Sequence, residues 1–166
     1  MKIPHSFLFF PAIFILSLAT CASAPSIETF FIDAGVQQYF IYPSEMRGRG
    51  CTAMVDFTYR SSNEYIVCNI TISTAEGVSR DYADLAFLLD GGKTIPLQGV
   101  ELISMNRLGK EIRLGCRLPL ADFKELASSN GATLAFSMNG RQYAVQSGSY
   151  FKVQTRAAKT ELFDNE

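Results

Sequence analysis

The sequence has one histidine and no tryptophan among 166 residues, and only 19% of it is charged. A Ser-His-Asp or Cys-His arrangement needs an imidazole, as does a His-containing zinc site. The one available ring, His5, lies in an amino-terminal segment expected to be removed on export. Charge of one sign is also missing: 15 basic residues face 16 acidic ones, for a net charge of −1 and a pI near 5.9. That balance excludes a nucleic-acid binder working through a broad cationic surface. The apolar run from Phe7 to Leu18 is broken by Pro11 and is shorter than the ~20 residues a spanning helix needs. What is present is apolar and aromatic. Hydrophobic residues make up 48%, with 13 Phe and 7 Tyr, enough for the core of one ordinary domain and too much for a disordered chain.

The first residues, Met1-Lys2-Ile3-Pro4-His5, give a short positive start ahead of that apolar run, the pattern of a secretory signal. Two cleavage readings follow. One is an ordinary cut after Ala22-Ser23-Ala24, before Pro25. In the other, Leu18-Ala19-Thr20-Cys21 resembles the lipobox of bacterial lipoproteins, with Thr20 where Gly, Ala or Ser is usual. The resemblance implies a signal over residues 1–20 and an acylated Cys21. Residues 21–27, rich in small side chains, would be the tether. Buried acyl chains contribute about 0.8 kcal/mol per CH₂, so several hold a domain on a membrane. Export to the cell envelope with a lipid anchor is the implied location, and a soluble periplasmic or secreted protein is the alternative.

Residues 28–162 read as one β-rich domain, with a frayed tail over 163–166. The hydrophobic period is mostly two. Cys51, Ala53, Val55, Phe57 and Tyr59 form one row, and Ile66, Cys68, Ile70 and Ile72 another. A four-residue turn between them pairs Phe57 with Cys68 and Val55 with Ile70, putting both rows on one face. Asp56 then stands near Asn69 on the polar face, as a surface pair. Asp84 to Leu89 and Lys93 to Leu97 form a second hairpin around Asp90-Gly91-Gly92, where Asp90-Gly91 is expected to supply a primed turn. Pro96 marks a sheet edge and Gly99 a bulge. Ala132 to Met138, Asn139-Gly140 and Arg141 to Gln146 form a third hairpin, pairing Phe136 with Tyr143. A short helix spans Leu120 to the Asn130-Gly131 stop, with Phe123, Leu126 and Ala127 inward. A second candidate helix starts at Ser149, with Phe151, Ala158 and Leu162 on one side. The fold class is an antiparallel β-sandwich or partly open barrel.

Motifs with chemical meaning are few. Ser149-Tyr150-Phe151-Lys152 matches S-x-x-K, but the S-D-N and K-T-G elements that accompany it in penicillin-interacting enzymes are absent. Gly91-Gly92-Lys93-Thr94 would need a glycine at Phe87 to be a phosphate loop. Glu76, Asp81, Asp84 and Asp90 lack the D-x-D-x-D-G order of a calcium loop and read as a solvated region. Asn69-Ile70-Thr71 fits a glycosylation sequon, which a bacterial export route would not use. With Cys21 acylated, Cys51, Cys68 and Cys116 remain. Cys68 with Cys116 is a candidate disulfide if their strands face each other across the core, and buried free thiols are the alternative. Cys51 follows Arg47-Gly48-Arg49-Gly50, whose cations would lower its pKa.

No cofactor or metal is implied. The expectation is a non-enzymatic lipoprotein with a structural or binding role, engaging the membrane through its anchor and a protein or envelope component through its surface. The stretch Glu45 to Gly50, read as a loop, and the Pro96 edge are the contact candidates: Glu45, Met46, Arg47, Arg49 and Pro96. One alternative is a small hydrolase or redox protein using Cys51, or Ser149 with Lys152. Another is a carrier of a hydrophobic ligand, suggested by the Phe content.

Overall fold

A computed structural model describes residues 27–33 and 35–164. His5, Cys21 and both cleavage sites lie outside the described residues, as do the last two residues of the expected tail. The described residues are mostly β, with ten antiparallel strands in one nearly closed sheet and two helices among them. In chain order these are β1 (Ile27–Asp33), β2 (Val36–Gly48), β3 (Cys51–Arg60), β4 (Tyr65–Thr74), β5 (Tyr82–Leu89), β6 (Thr94–Pro96), β7 (Gln98–Met105) and β8 (Glu111–Pro119). Then come α1 (Leu120–Ser128), β9 (Ala132–Met138), β10 (Arg141–Ser147) and α2 (Ser149–Phe163). Among the described residues, no helix is long and apolar enough to cross a membrane.

The alternating rows pair as their parity requires. Phe57 faces Cys68, Val55 faces Ile70 and Asp56 faces Asn69 across β3 and β4. Phe136 faces Tyr143 across β9 and β10. The turn between that pair has positive φ at both Asn139 and Gly140, as a type I′ hairpin requires. The second hairpin differs from expectation. Leu89 N donates to Lys93 O, and of the turn glycines Gly92 alone has positive φ. It is therefore a three-residue loop with glycine in the left-handed position rather than a primed Asp90-Gly91 turn.

The strand order is β6-β5-β9-β10-β2-β3-β4-β8-β7, and β1 adds to the amino-terminal half of β2. The two ends of this order, β6 and β7, are separated in the chain by Leu97 alone. Residues 94–105 thus form one bent strand that pairs with β5 before the bend and with β8 after it. Pro96, which has no N–H, sits just before the bend, and Gly99 takes positive φ in the bulge after it. This strand draws the sheet edges together.

Both helices lie against the concave face. Phe123 of α1 and Phe151 of α2 meet Phe57 with ring centroids 5.3 and 6.1 Å apart. Phe151 also meets Phe87 of β5 at 6.3 Å. Phe151 therefore bridges β3 and β5 across the core, and Phe123 packs beside it on Phe57. The α1 face is Phe123, Leu126 and Ala127, but the helix ends at Ser128, ahead of the expected Asn130-Gly131 stop. Phe163, assigned to the tail from sequence, is helical and packs on Tyr59 and Phe123.

Two strands precede the expected first one, and their presence changes the reading of residues 45–50. Glu45 to Gly48 belong to β2, and only Arg49-Gly50 form the turn into β3. Strand alternation sends Met46 into the core, where it is fully buried, so Met46 is no contact residue. Gly48 passes under β10 so closely that a Cβ there would stand 2.1 Å from the Ala144 carbonyl oxygen.

Candidate functional site

The contact candidates that stay on the surface lie where β2 meets β10. Glu45 and Arg47 point outward from β2, and the Arg47 guanidinium is bound by Glu45. That carboxylate raises the Arg47 pKa above its ordinary value, through the hydrogen bond first. A shallow groove runs from these two residues past Gln146 and Ser149 to Tyr150, which is 55% exposed. Beyond the Arg49-Gly50 turn a second groove of about 420 Å³ is lined by Arg49, Glu76, Arg141 and Tyr143. Arg141 pairs with Glu76, one of the carboxylates read from sequence as a solvated cluster. Arg49 is exposed at the rim. Pro96 is exposed too, but on β6, which β5 and β9 separate from the β10 side of these grooves.

The residues proposed for covalent chemistry have different surroundings. Cys51 is 5% exposed, and burial pushes its thiol up to about 11, opposite to the lowering expected from Arg47 and Arg49. The expectation failed because alternation turns Cys51 inward while both guanidinium groups point out. At neutral pH the Cys51 thiol is protonated and a poor nucleophile. Ser149 is exposed at the start of α2, and Lys152 is half-buried one turn later.

Cys68 and Cys116 stand directly opposite each other on β4 and β8. They are neighbours in one sheet rather than partners across the core. Both are buried free thiols, and Cys116 Sγ donates to the Cys68 carbonyl at 3.0 Å. Burial, and then the Cys116 thiol, hold the Cys68 thiol well above its ordinary value.

Asp56 is not the surface residue expected. Its side chain is 1% exposed, accepting from Asn69 Nδ2 at 2.7 Å and from Arg113 Nη2 at 2.7 Å. Arg113 donates its second amino group to Thr71 at 2.9 Å. The sequence alternation placed Asp56 opposite Asn69 correctly, but Arg113 lies two strands away and carries no local signal.

Sequence reasoning also missed the β1–β2 hairpin. Phe31 is 80% exposed, and Phe30 and Ile32 are each 48% exposed. A run of apolar residues next to a tether was the available signal, but a run without alternation does not declare a strand.

A hydrophobic-ligand carrier would need a continuous apolar cavity. Phe57, Phe87, Phe123, Phe136 and Phe151 are all buried in the interior where one would lie, which weighs against that reading. Compared with family models, curated proteins and solved structures, the chain matches none.

Proposed function

We propose that this chain is an exported bacterial envelope lipoprotein, anchored through Cys21, whose β-rich domain binds a protein or envelope component without enzymatic chemistry. The observation that carries the binding reading is the surface at the β2–β10 junction. Arg47, Arg49, Arg141 and Tyr150 stand there with Glu45 and Glu76 among them. Arg and Tyr supply a disproportionate share of binding energy at protein interfaces. The opposite charges interspersed with them favour a partner of mixed charge over a polyanion. Cys51, the strongest reactive candidate in the sequence, has the burial and raised pKa of a structural thiol.

Anchoring is tested by growing cells with a fatty-acid analogue and comparing wild type with Cys21→Ala. Label on wild type and none on the variant is expected, and unlabelled wild type defeats the anchor. Binding is tested by photo-crosslinking from position 47 or 150 in intact cells. A discrete adduct that Arg49→Glu/Arg141→Glu abolishes is expected. Unchanged adducts in that double variant would move the contact elsewhere.

A further inference from the structure

We infer that the tip of the β1–β2 hairpin is a second membrane contact, with Phe30, Phe31 and Ile32 seated in the headgroup–acyl boundary of a phospholipid bilayer. This rests on the anchoring reading above. The starting observation is parity. Ile27 and Phe31 share one face of β1. Ile27 is buried against Ile41, whereas Phe31 is 80% exposed. That end of the hairpin lies level with the β3–β4 turn, where Ser61 N donates to Gln37 O opposite Phe31, and the body of the domain leaves the Phe31 ring uncovered there. Phe30 and Ile32, on the other face, are 48% exposed. Glu28 and Thr29 are polar, but residues 30–32 are apolar on both faces of an edge strand, which soluble proteins avoid because it invites aggregation. In a lipid boundary the same feature is an advantage.

The chain that precedes β1 selects lipid as the occupant. Cys21 lies six residues before Ile27. At roughly 3.3–3.6 Å per residue, that tether reaches about 20 Å. Phe31 lies four residues beyond Ile27, or about 14 Å along an extended strand. An acylated Cys21 and the hairpin tip can thus occupy one bilayer surface together. The residues above the tip suit that depth. Tyr39, half-buried on β2, pairs with Thr29 two residues from Phe31, close enough to the tip to sit where amphipathic rings collect at membrane interfaces. Arg60, exposed on β3, donates through Nε to Gln38 at 2.9 Å, and Gln38 pairs with Phe30, so a cation stands beside the exposed rings, as a phosphate layer favours. The orientation also points the Arg49–Arg141 groove away from the membrane, since β2 runs from the hairpin to that turn.

The absence of native tryptophan makes the test direct. Phe31→Trp places a single reporter at the tip. Leu108→Trp places one on the β7–β8 turn, 77% exposed at the Gly50 and Gly77 end of the sheet. Each full-length variant is purified from membranes and reconstituted into phosphatidylethanolamine–phosphatidylglycerol vesicles, with or without bromine on the acyl chains. F31W emission is expected to shift to the blue and lose most of its intensity to brominated lipid, while L108W does neither. If vesicles float with the protein but F31W behaves like L108W, the hairpin contact is wrong and the anchor stands. Blue-shifted F31W emission in lipid-free protein, growing with protein concentration, would assign the tip to a second copy and overturn the inference. If the chain carries no acyl group, the anchoring reading fails. Quenching of F31W by vesicles added from solution then supports the hairpin contact, and its absence overturns it.

Discussion

Arg113 on β8 reaches over β4 to place Nη2 2.7 Å from Asp56 Oδ2 on β3. The two partners are unequally buried: the Asp56 side chain is 1% exposed and that of Arg113 is 34% exposed. Removing the arginine strands a carboxylate, whereas neutralising the carboxylate lets the arginine turn to water. Arg113→Met is expected to cost about 1–3 kcal/mol, the cost of an unsatisfied buried group. Asp56→Asn keeps one oxygen for Arg113, and turning over the Asn69 amide offers its oxygen to the new NH2 group, so this variant should cost less, about 1 kcal/mol. Urea unfolding of both variants checks the order, and equal losses would contradict it.

The β5–β6 turn predicts a difference between adjacent glycines. Gly92 has φ +80°, while Gly91 lies outside the positive region, and neither would meet a neighbour with an added Cβ. Gly92→Ala is expected to destabilise by about 1 kcal/mol through backbone strain alone. Gly91→Ala should be near neutral or slightly stabilising. Thermal unfolding midpoints of the two variants distinguish this loop from a primed Asp90-Gly91 turn, in which Gly91→Ala would be the damaging one.

Cys51 titrates near 11 in the folded protein against an ordinary 9.0. Between these values the unfolded chain has released the proton and the folded chain retains it. The protein therefore keeps the full benefit of the buried thiol below pH 9 and loses it as pH rises toward 11. Cys68 shifts in the same direction. Stability is expected to fall by about 1–3 kcal/mol across that window, and less in Cys51→Ala relative to its own neutral value. A thiol reagent at pH 7.5 should label Cys51, Cys68 and Cys116 only after unfolding. Rapid labelling of Cys51 in the native state would reverse its assignment as a structural thiol.

Ser44 and Gln154 form a buried pair between β2 and α2, with Ser44 Oγ donating to Gln154 Oε1. Gln154 Nε2 has no partner among the described residues. Ser44→Ala leaves both polar ends of the amide unmatched and should cost about 1–3 kcal/mol. Gln154→Met removes the orphaned donor and should cost less, even though it loses the same hydrogen bond. Chemical denaturation of the two variants tests this, and a larger loss for Gln154→Met would show the amide donor to be satisfied.

Local rules carried far in this protein. The β3–β4 register was legible because a four-residue turn and two apolar rows allow one parity. Asn139-Gly140 announced its own turn, and Phe123, Leu126 and Ala127 lie at helical spacing. Elements without such a signature were missed. Phe30-Phe31-Ile32 does not alternate because its hairpin leaves the core, and Glu45 to Gly50 looked like a loop because of its charges and glycines. The candidate site suffered the same way. Glu45, Arg47 and Arg49 could be chosen by charge, but Met46 lies between them in sequence and on the opposite face in space. Arg141, Glu76 and Tyr150 could not be joined to them without knowing that β10 lies beside β2.

The sequence by itself determined the β class, the registers of the β3–β4 and β9–β10 hairpins and the face each of their rows presents, since those follow from turn length and the two-residue period of a strand. Tertiary structure alone decided which distant strands adjoin. An inward apolar row on β4 has no preference of its own for β8, and alternation looks the same whichever partner it meets. That choice comes from the shared core, where Phe57 and Phe87 of the sheet must pack against Phe123 of α1 and Phe151 of α2. It brings Cys68 against Cys116 and Arg113 over Asp56, and it bends residues 94–105 between the two edges of the sheet.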